Sequence, residues 1–294
     1  MNYADKAIIL YDRKKEKTPK DDEKALCREV LQELILDSLC KTDFFDNAAF
    51  EGGTFLRLIH NSERFSEDLD FACVKQNLSF DFEKYFAFLQ QDFKDNGLEL
   101  EYLIKNNNTN VRKAYIKDIS VATALNLPFV SHPRIKEKIL LKFETDTNPP
   151  SGATYDYLDG IRMMDLSSGF AGKCHALIER AYLKGRDWFD LLYYTDHKVE
   201  PNYNFLKNAL IQRDERYKDI EIDSKFVIHE LTKRLDLVKK ITDITDDLDK
   251  FVDTDKINYL NQSGKDIFYK AIENFKDYSK NVNVTKIQKS ERSI

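Results

Sequence analysis

The sequence has few cysteines, and their spacing excludes two classes of protein. Its four cysteines, at Cys27, Cys40, Cys73 and Cys174, are scattered through 294 residues with no Cys-x-x-Cys pair. A disulfide-stapled secreted domain and a structural zinc site both need cysteines at close, paired spacings. We therefore expect reduced thiols that are mostly buried.

The chain also lacks a long apolar run and an excess of basic charge. No segment approaches the ~20 consecutive apolar residues of a membrane-spanning helix. Charges interrupt the N-terminal MNYADKAIILYDRKK, where a signal peptide needs an apolar core. These features predict a cytoplasmic protein. A net charge of -5 argues against a surface that binds nucleic acid throughout, although it allows a local basic patch.

The pattern of the chain changes near residue 165. Before it, strand-like segments at 67–74, 97–104, 111–118 and 136–146 are mixed with helix-like segments at 24–41, 54–61 and 80–95. After about residue 170, the pattern is almost wholly helical. The sequence therefore predicts an α+β fold, in which a mixed-sheet domain over 1–165 precedes a helical domain over 166–294.

The segment GGTFLRLIHNSERFSEDLDF places two glycines before a helix-like run and two aspartates in a strand-like run. In a strand, Asp68 and Asp70 point to the same side, roughly 6.6 Å apart along the chain. At an effective dielectric constant of ~20, two such carboxylates repel by about 2.5 kcal/mol. A divalent cation such as Mg²⁺ reverses the sign of that interaction, and oxygen ligands are those it prefers. A solvated acidic strand edge is the alternative.

A third carboxylate is available on the strand predicted at 136–146. Lys142, Glu144 and Asp146 share one of its faces, and Leu141 and Phe143 share the other. If this strand lies beside 67–74, Glu144 or Asp146 could be a metal ligand or the base that deprotonates an attacking hydroxyl. The residues alone leave that choice open.

The two glycines and the following threonine suit a phosphate. Gly52 and Gly53 have no Cβ, so a ligand can approach the backbone closely, and the amides of a following helix favour an anion. Thr54 can add a hydroxyl donor. An ordinary loop before a helix is the alternative.

The segments EGGTFLRLIHNSERFSEDLDF, LLKFETDTNPP and AGKCHALIERAYLKGRDWFDLLYY resemble, in this order, the motifs of the AbiEii/AbiGii-type nucleotidyltransferase toxins. These toxins belong to the DNA polymerase beta-like nucleotidyltransferase superfamily. The resemblance covers roughly residues 25–195. It implies a nucleotidyltransferase αβ domain, a helical domain that contributes to the active site, and the toxin of a two-gene toxin–antitoxin system. Some such toxins transfer nucleotides from an NTP to tRNA acceptor ends.

The resemblance also implies roles for single residues. It places the glycine motif on Gly52, Gly53 and Thr54, the metal-binding pair on Asp68 and Asp70, and the strand carboxylate on Glu144. It places the motif lysine on Lys173 and the RDxxD segment on Arg186, Asp187 and Asp190. The commoner motif has Gly-Ser, so Thr54 would supply the hydroxyl that Gly53 lacks. We assign Asp187 to the active site and regard Asp190 as structural.

The helical spacing adds a second cation to this set. Lys173 and Arg180 lie at positions i and i+7 of a predicted helix and would share a face that could neutralise a triphosphate. Two surface cations are the alternative. Asp187 could also cap the next helix instead of serving in catalysis.

We therefore expect a nucleotidyltransferase that uses Mg²⁺ or Mn²⁺ and an NTP, with RNA, and most specifically the tRNA 3′ end, as acceptor. The partners would include a cognate antitoxin. Two alternatives stay open, namely transfer to a small-molecule hydroxyl and a non-catalytic nucleotide-binding regulator. Positive charges near the predicted chemistry indicate where RNA would bind, and they are Lys105, Arg112, Lys113, Lys117, Arg134, Lys136 and Lys138.

Overall fold

The structure is a computed structural model that describes residues 1–17, 22–105, 109–130 and 138–291. The chain forms two compact units. One, called the sheet unit below, comprises Met1–Pro149 and Asp156–Met163, and the other, the helical unit, comprises Pro150–Tyr155 and Met164–Ile294. Within the described ranges, every helix is too short or too polar to cross a membrane.

Seven strands of the described chain form one mixed sheet. They are β1 (Ala48–Glu51), β2 (Asp68–Cys73), β3 (Glu101–Lys105), β4 (Val111–Asp118), β5 (Ile139–Asp146), β6 (Tyr155–Leu158) and β7 (Ile161–Met164). Their order in the sheet is β3-β4-β5-β2-β1-β7-β6. The strand β2 pairs in parallel with β5 and antiparallel with β1, and β4 pairs antiparallel with both β3 and β5. The two strands predicted to carry carboxylates are therefore direct neighbours.

The helices of the sheet unit are α1 (Tyr3–Lys17), α2 (Glu23–Leu39), α3 (Phe44–Asn47), α4 (Gly52–Leu58), α5 (Glu83–Asp95) and α6 (Ser120–Ala124). The helix α2 begins where the Asp22 carboxylate accepts a hydrogen bond from the Ala25 amide at 3.0 Å. This side chain satisfies one of the amides that the first turn of a helix leaves unpaired. Most of α2 is buried, including Val30, Leu34 and Ile35.

One face of the sheet packs into an aromatic core. Phe71 of β2 and Phe143 of β5 stack with their ring centroids 4.7 Å apart, and Phe86 of α5 meets Phe143 edge-on at 5.2 Å. Because side chains alternate along a strand, burying these rings turns their sequence neighbours to the opposite side. That opposite side, called the open face below, carries Asp68, Asp70 and Glu144.

The helices of the helical unit are α7 (Leu166–Glu179), α8 (Gly185–Asp196), α9 (Tyr203–Arg213), α10 (Ser224–Asp236), α11 (Thr242–Leu248), α12 (Thr254–Ser263) and α13 (Asp266–Glu291). Their core contains Trp188 of α8 against Phe268 of α13, with centroids 5.7 Å apart. Gly185 opens α8 where an added Cβ would overlap the carbonyl of Ile244, so only glycine fits there.

The predicted α+β class is confirmed, since a mixed sheet with helices precedes a run of helices. The predicted helices at 24–41, 54–61 and 80–95 correspond to α2, α4 and α5, and the four predicted strands correspond to β2, β3, β4 and β5. The sequence pattern did not predict the helices α1, α3 and α6 or the strands β1, β6 and β7. The expected burial of most cysteines is also confirmed, because Cys27, Cys73 and Cys174 are buried. The division into functional domains at residue 165 stays a prediction.

Candidate active site

Three carboxylates meet on the open face of the sheet. In the parallel pairing of β2 with β5, Asp70 lies opposite Glu144 and Asp68 lies opposite Lys142. One carboxylate oxygen from each of Asp68, Asp70 and Glu144 lies within 4.8 Å of the other two, and all three side chains are half-buried. All three residues offer carboxylate oxygens, which are the ligands that Mg²⁺ and Mn²⁺ prefer. This acidic cluster therefore fits a divalent cation.

Gly52 lies against the cluster at the junction of β1 and α4. Its φ is +83°, a left-handed conformation that favours glycine, and an added Cβ would lie 2.5 Å from Oδ2 of Asp70. A side chain at position 52 would therefore push Asp70 out of the cluster. Glu51, which precedes Gly52, pairs with Asp70 across the two strands. The glycine motif was predicted to let a ligand approach the backbone, and in the structure the group that approaches Gly52 is the side chain of Asp70.

Thr54 has a different contact from the one expected of it. Its side chain is fully buried, and its hydroxyl donates to the backbone carbonyl of Asp68. In this conformation the hydroxyl holds the strand that carries the aspartates. The expected phosphate contact of Thr54 stays a prediction.

Arg64 is a residue near the site that the sequence analysis missed. Its side chain is 3% exposed and lies where a Cβ on Gly53 would collide with the guanidinium. Its Nη1 donates to the carbonyl of Phe65 at 3.1 Å. The glycine at position 53 thus leaves room for a buried cation in the loop before β2. Arg64 lies within the segment GGTFLRLIHNSERFSEDLDF, but only the glycines and aspartates of that segment were interpreted.

Two lysines bind the third carboxylate of the cluster. Lys113 of β4 forms an ion pair with Glu144 at 2.8 Å, and Lys142 contacts the other oxygen of Glu144. Burial acts to raise the pKa of Glu144, but these two ammonium groups outweigh it and hold the pKa below its usual range. Glu144 is therefore ionised at neutral pH, as a metal ligand must be.

Asp146 lies outside this cluster. It is two residues beyond Glu144 on β5, opposite Ala72, and its carboxylate accepts a hydrogen bond from the Asn148 amide at 2.9 Å. Burial raises the pKa of Asp146. Of the two carboxylates that the sequence left open, the geometry brings Glu144 to the aspartates.

A second group of charges lies in the helical unit. Lys173 of α7 forms ion pairs with Asp187 at 3.1 Å and with Asp190 at 2.8 Å, and Arg180 reaches Asp187 at 3.2 Å. The two carboxylates are 3% and 0% exposed, so we call these four residues the buried cluster. Burial acts to raise the pKa of Asp187, and Lys173 and Arg180 outweigh it and lower the pKa.

One geometric expectation for this region is wrong, and one alternative is excluded. Arg180 does not continue α7, because the helix ends at Glu179 and Arg180 has an extended backbone with ψ of 130°. Asp187 does not cap α8, because the helix already begins at Gly185 after Lys184 and has no side-chain cap. Lys173 and Arg180 nevertheless come together, through their shared partner Asp187. Arg186 lies elsewhere, in an ion pair with Asp247 at 3.5 Å.

The predicted basic surface is divided between the two faces of the sheet. Lys113 binds Glu144 on the open face, whereas Arg112 points to the other face and donates to the carbonyl of Leu78 at 2.7 Å. Lys138 pairs with Glu101 at 2.7 Å. Arg134 and Lys136 lie outside the described residues. Lys105 and Lys117 are exposed on the open face.

The sequence profile of the family described as "Nucleotidyl transferase AbiEii toxin, Type IV TA system" matches residues 34–273. The chain belongs to this AbiEii family. Membership identifies the chain as a nucleotidyl-transfer enzyme and as a toxin of a type IV toxin–antitoxin system. The resemblance stated from three short segments is therefore confirmed over most of the chain.

Two solved structures of Helicobacter pylori proteins share the fold of this AbiEii-family chain. A protein from H. pylori assigned as a nucleotidyltransferase has 20% identity and a TM-score of 0.50, over 87% of this chain and 98% of that chain. JHP933 from Helicobacter pylori has 18% identity and a TM-score of 0.50, over 90% and 99%. MenT4, the nucleotidyltransferase toxin Rv2826c from Mycobacterium tuberculosis H37Rv, has 14% identity and a TM-score of 0.42, over 86% and 94%. No curated protein sequence matches significantly.

Proposed function

We propose that the chain transfers a nucleotide from an NTP to RNA, at the tRNA 3′ end, with Mg²⁺ or Mn²⁺ held by Asp68, Asp70 and Glu144. The observation that carries this proposal is the convergence of three carboxylates from adjacent strands within 4.8 Å. A divalent cation held there would neutralise charge on the reacting phosphate and orient the attacking hydroxyl. Gly52 keeps the space beside Asp70 free of a side chain.

The role we propose for Glu144 is that of a ligand. A general base works best with a pKa near the operating pH, whereas the lysines at Glu144 lower its pKa. A carboxylate that stays ionised holds a cation at every physiological pH. Lys113 and Lys142 also bring positive charge to the rim of the cluster, where it would favour the approach of phosphate groups.

The proposal includes the roles that family resemblance implies in the helical unit. Lys173 and Arg180 would bind phosphate, and Asp187 would take part in catalysis. Both cations bind Asp187 in the structure, so phosphate binding would require them to exchange a carboxylate for a phosphate. The competing role is structural, and the stability of a Lys173→Met variant separates the two.

The proposed setting is the cytoplasm, with a cognate antitoxin as the protein partner. RNA is favoured as acceptor by the exposed cations on the open face, close to the acidic cluster in the sheet. A small-molecule acceptor and a nucleotide-binding regulator remain the competing functions.

The test is incubation of the purified protein with total RNA and each labelled NTP in turn. We expect one NTP to label RNA of tRNA size, and we expect Asp68→Asn and Asp70→Asn to reduce transfer by about 1,000-fold, equivalent to about 4 kcal/mol. Asp146→Asn, on the same strand as Glu144 but outside the cluster, should transfer normally. Wild-type rates in both aspartate variants would contradict the proposal. Label on a small molecule alone would indicate transfer to a small-molecule acceptor. Binding of NTP without transfer would indicate a nucleotide-binding regulator.

A further inference from the structure

The open face carries an exposed group of side chains beside the acidic cluster. Leu103 and Lys105 come from β3, Tyr115 and Lys117 from β4, and Leu140 from β5. Leu103 is 56% exposed and Leu140 is 49% exposed, although both lie in a regular sheet. Apolar side chains on a sheet face usually pack against a second layer, so exposed ones at this density suggest a binding surface. We call these five residues the platform.

Strand pairing fixes the platform in relation to the carboxylates. Across β2, β5, β4 and β3, one row of facing residues is Asp70, Glu144, Lys113 and Lys105, and the next is Asp68, Lys142, Tyr115 and Leu103. A third row contains Leu140, Lys117 and Glu101. Neighbouring strands are about 4.8 Å apart and successive residues of a strand about 3.3 Å apart, so the platform residues lie about 8 to 14 Å from Glu144. That span accommodates one or two nucleotides.

The charge of the platform complements an anion. The Lys105 ammonium lies 5.0 Å from the centroid of the Tyr115 ring, so a cation and an aromatic face form one patch. No described carboxylate lies within ion-pair distance of Lys105 or Lys117. Glu101, which faces Lys117 across the strands, pairs with Lys138 instead. Asp68, Asp70 and Glu144 therefore lie on one side of the platform lysines, and Glu101, which is paired with Lys138, lies on the other.

We propose that the platform binds the single-stranded end of the RNA acceptor, a proposal that rests on the RNA specificity proposed above. Lys105 and Lys117 contact phosphates, and Tyr115 with Leu103 and Leu140 supports unpaired bases. Sheet faces that combine aromatic side chains with cations bind single-stranded RNA in this way, because every base has a flat face to stack. The row spacing brings a terminal ribose held on Tyr115 towards Glu144 and the aspartates.

RNA fits this patch better than a protein partner does. A stable protein interface has a central apolar region that excludes charge. Here the apolar residues share the second and third rows with Lys142 and Lys117, and Lys105 lies beside them in the first row, so a protein would have to bury ammonium groups that phosphates pair with directly. Duplex RNA fits poorly as well, because its bases are stacked on each other and cannot reach a tyrosine ring.

The test measures binding of a short fluorescent single-stranded RNA with a free 3′ hydroxyl, by anisotropy across a salt titration. The double variant Lys105→Gln, Lys117→Gln should bind about tenfold more weakly, and its log-log salt slope should decrease in magnitude by about 1.4, the value for two single-strand phosphate contacts. Tyr115→Leu should also bind about tenfold more weakly, with an unchanged salt slope. Lys94→Gln is the matched control, since Lys94 is exposed on α5, which packs on the buried face.

Each outcome decides the proposal. Weaker RNA binding in the lysine and tyrosine variants, with normal RNA binding in Lys94→Gln, supports the proposal that the platform binds RNA. The melting temperatures of these variants should match that of the wild type. Unchanged RNA affinity in the double variant overturns it. If the platform variants bind RNA normally while Asp70→Asn abolishes transfer to RNA, the enzyme function stands and the surface is wrong. If the wild type binds duplex RNA as well as the single strand, the stacking role of Tyr115 is wrong.

Discussion

The sheet unit and the helical unit both bring aspartates to lysines and arginines, but they bury them to different degrees. In the sheet unit, Asp68, Asp70 and Glu144 are half-buried on an open face, and their oxygens converge on one point. In the helical unit, Asp187 and Asp190 are almost fully buried, and Lys173 lies between them. The carboxylates of the first arrangement are accessible to a ligand, whereas those of the second are buried against cations of the protein itself.

This difference separates two uses of charge that look alike in sequence. Buried carboxylates must be paired, because an uncompensated charge in the interior costs several kcal/mol. Half-exposed carboxylates keep part of their hydration, so they need less compensation from charges within the protein. The buried cluster should therefore matter most for stability, and the acidic cluster most for cation binding.

Replacing Lys173 by methionine should have the largest effect on stability. The change leaves two buried carboxylates without their shared cation, and we expect the free energy of unfolding to fall by about 3–5 kcal/mol. Urea denaturation followed by the fluorescence of Trp188 measures this, since the chain has one tryptophan and it is buried in the helical unit. Lys233→Met on α10, where the side chain is 63% exposed, should cost less than about 0.5 kcal/mol.

The pH dependence of that loss identifies its cause. The folded-state pKa of Asp187 is below its ordinary value of 3.8, so the stability that its ion pairs contribute is present above pH 3.8 and is lost as the pH falls through the folded-state pKa. The difference between wild type and Lys173→Met should thus be widest near neutral pH and narrow below pH 3.8. A Lys173→Met variant as stable as the wild type but unable to use NTP would exclude the structural role and favour phosphate binding by Lys173.

The acidic cluster should contribute to cation binding and should not stabilise the cation-free protein. Asp70→Asn relieves like-charge repulsion, so without metal its melting temperature should equal or exceed that of the wild type. Mg²⁺ or Mn²⁺ at about 100 times its dissociation constant should stabilise the wild type by about 2.7 kcal/mol. That gain should disappear in Asp70→Asn and persist in Asp146→Asn. A similar gain in all three proteins would exclude a specific site at the cluster.

The two strands that form the site could be predicted because polar and buried apolar residues alternate along both of them. Asp68 and Asp70 alternate with Leu69 and Phe71, and the buried pattern of β2 follows this alternation. The pairing of β2 with β5, which was a condition of the sequence argument, is confirmed. The strand β1 was not predicted because Ala48, Ala49 and Phe50 are all buried, so its four residues show no alternation.

The partners of Glu144 could not be predicted from the sequence. Lys113 reaches it only because β4 pairs with β5 in one particular register, and a shift of one residue would have placed Arg112 there instead. The end of α7 at Glu179 could not be predicted either, because no glycine or proline follows it directly and the next glycine is Gly185. Helical spacing therefore assigned Arg180 the wrong backbone conformation. Long-range pairing and helix ends need tertiary contacts, which a local pattern does not contain.

The smallest effect that we expect distinguishes the two lysines at Glu144. Lys142 contacts Glu144 and faces both aspartates, and although burial acts to lower its pKa, these three carboxylates raise it above the usual value. Lys142→Met should therefore lower the cation-free stability by about 1 kcal/mol, because the side chain is partly exposed. The same change should tighten Mn²⁺ binding several-fold, since a bound cation no longer competes with an ammonium group. Lys113→Met, which removes a contact to Glu144 alone, should tighten it less. Titration calorimetry with Mn²⁺ measures the order, and weaker binding in Lys142→Met would mean that the lysine holds Glu144 in place for the cation and does not compete with it.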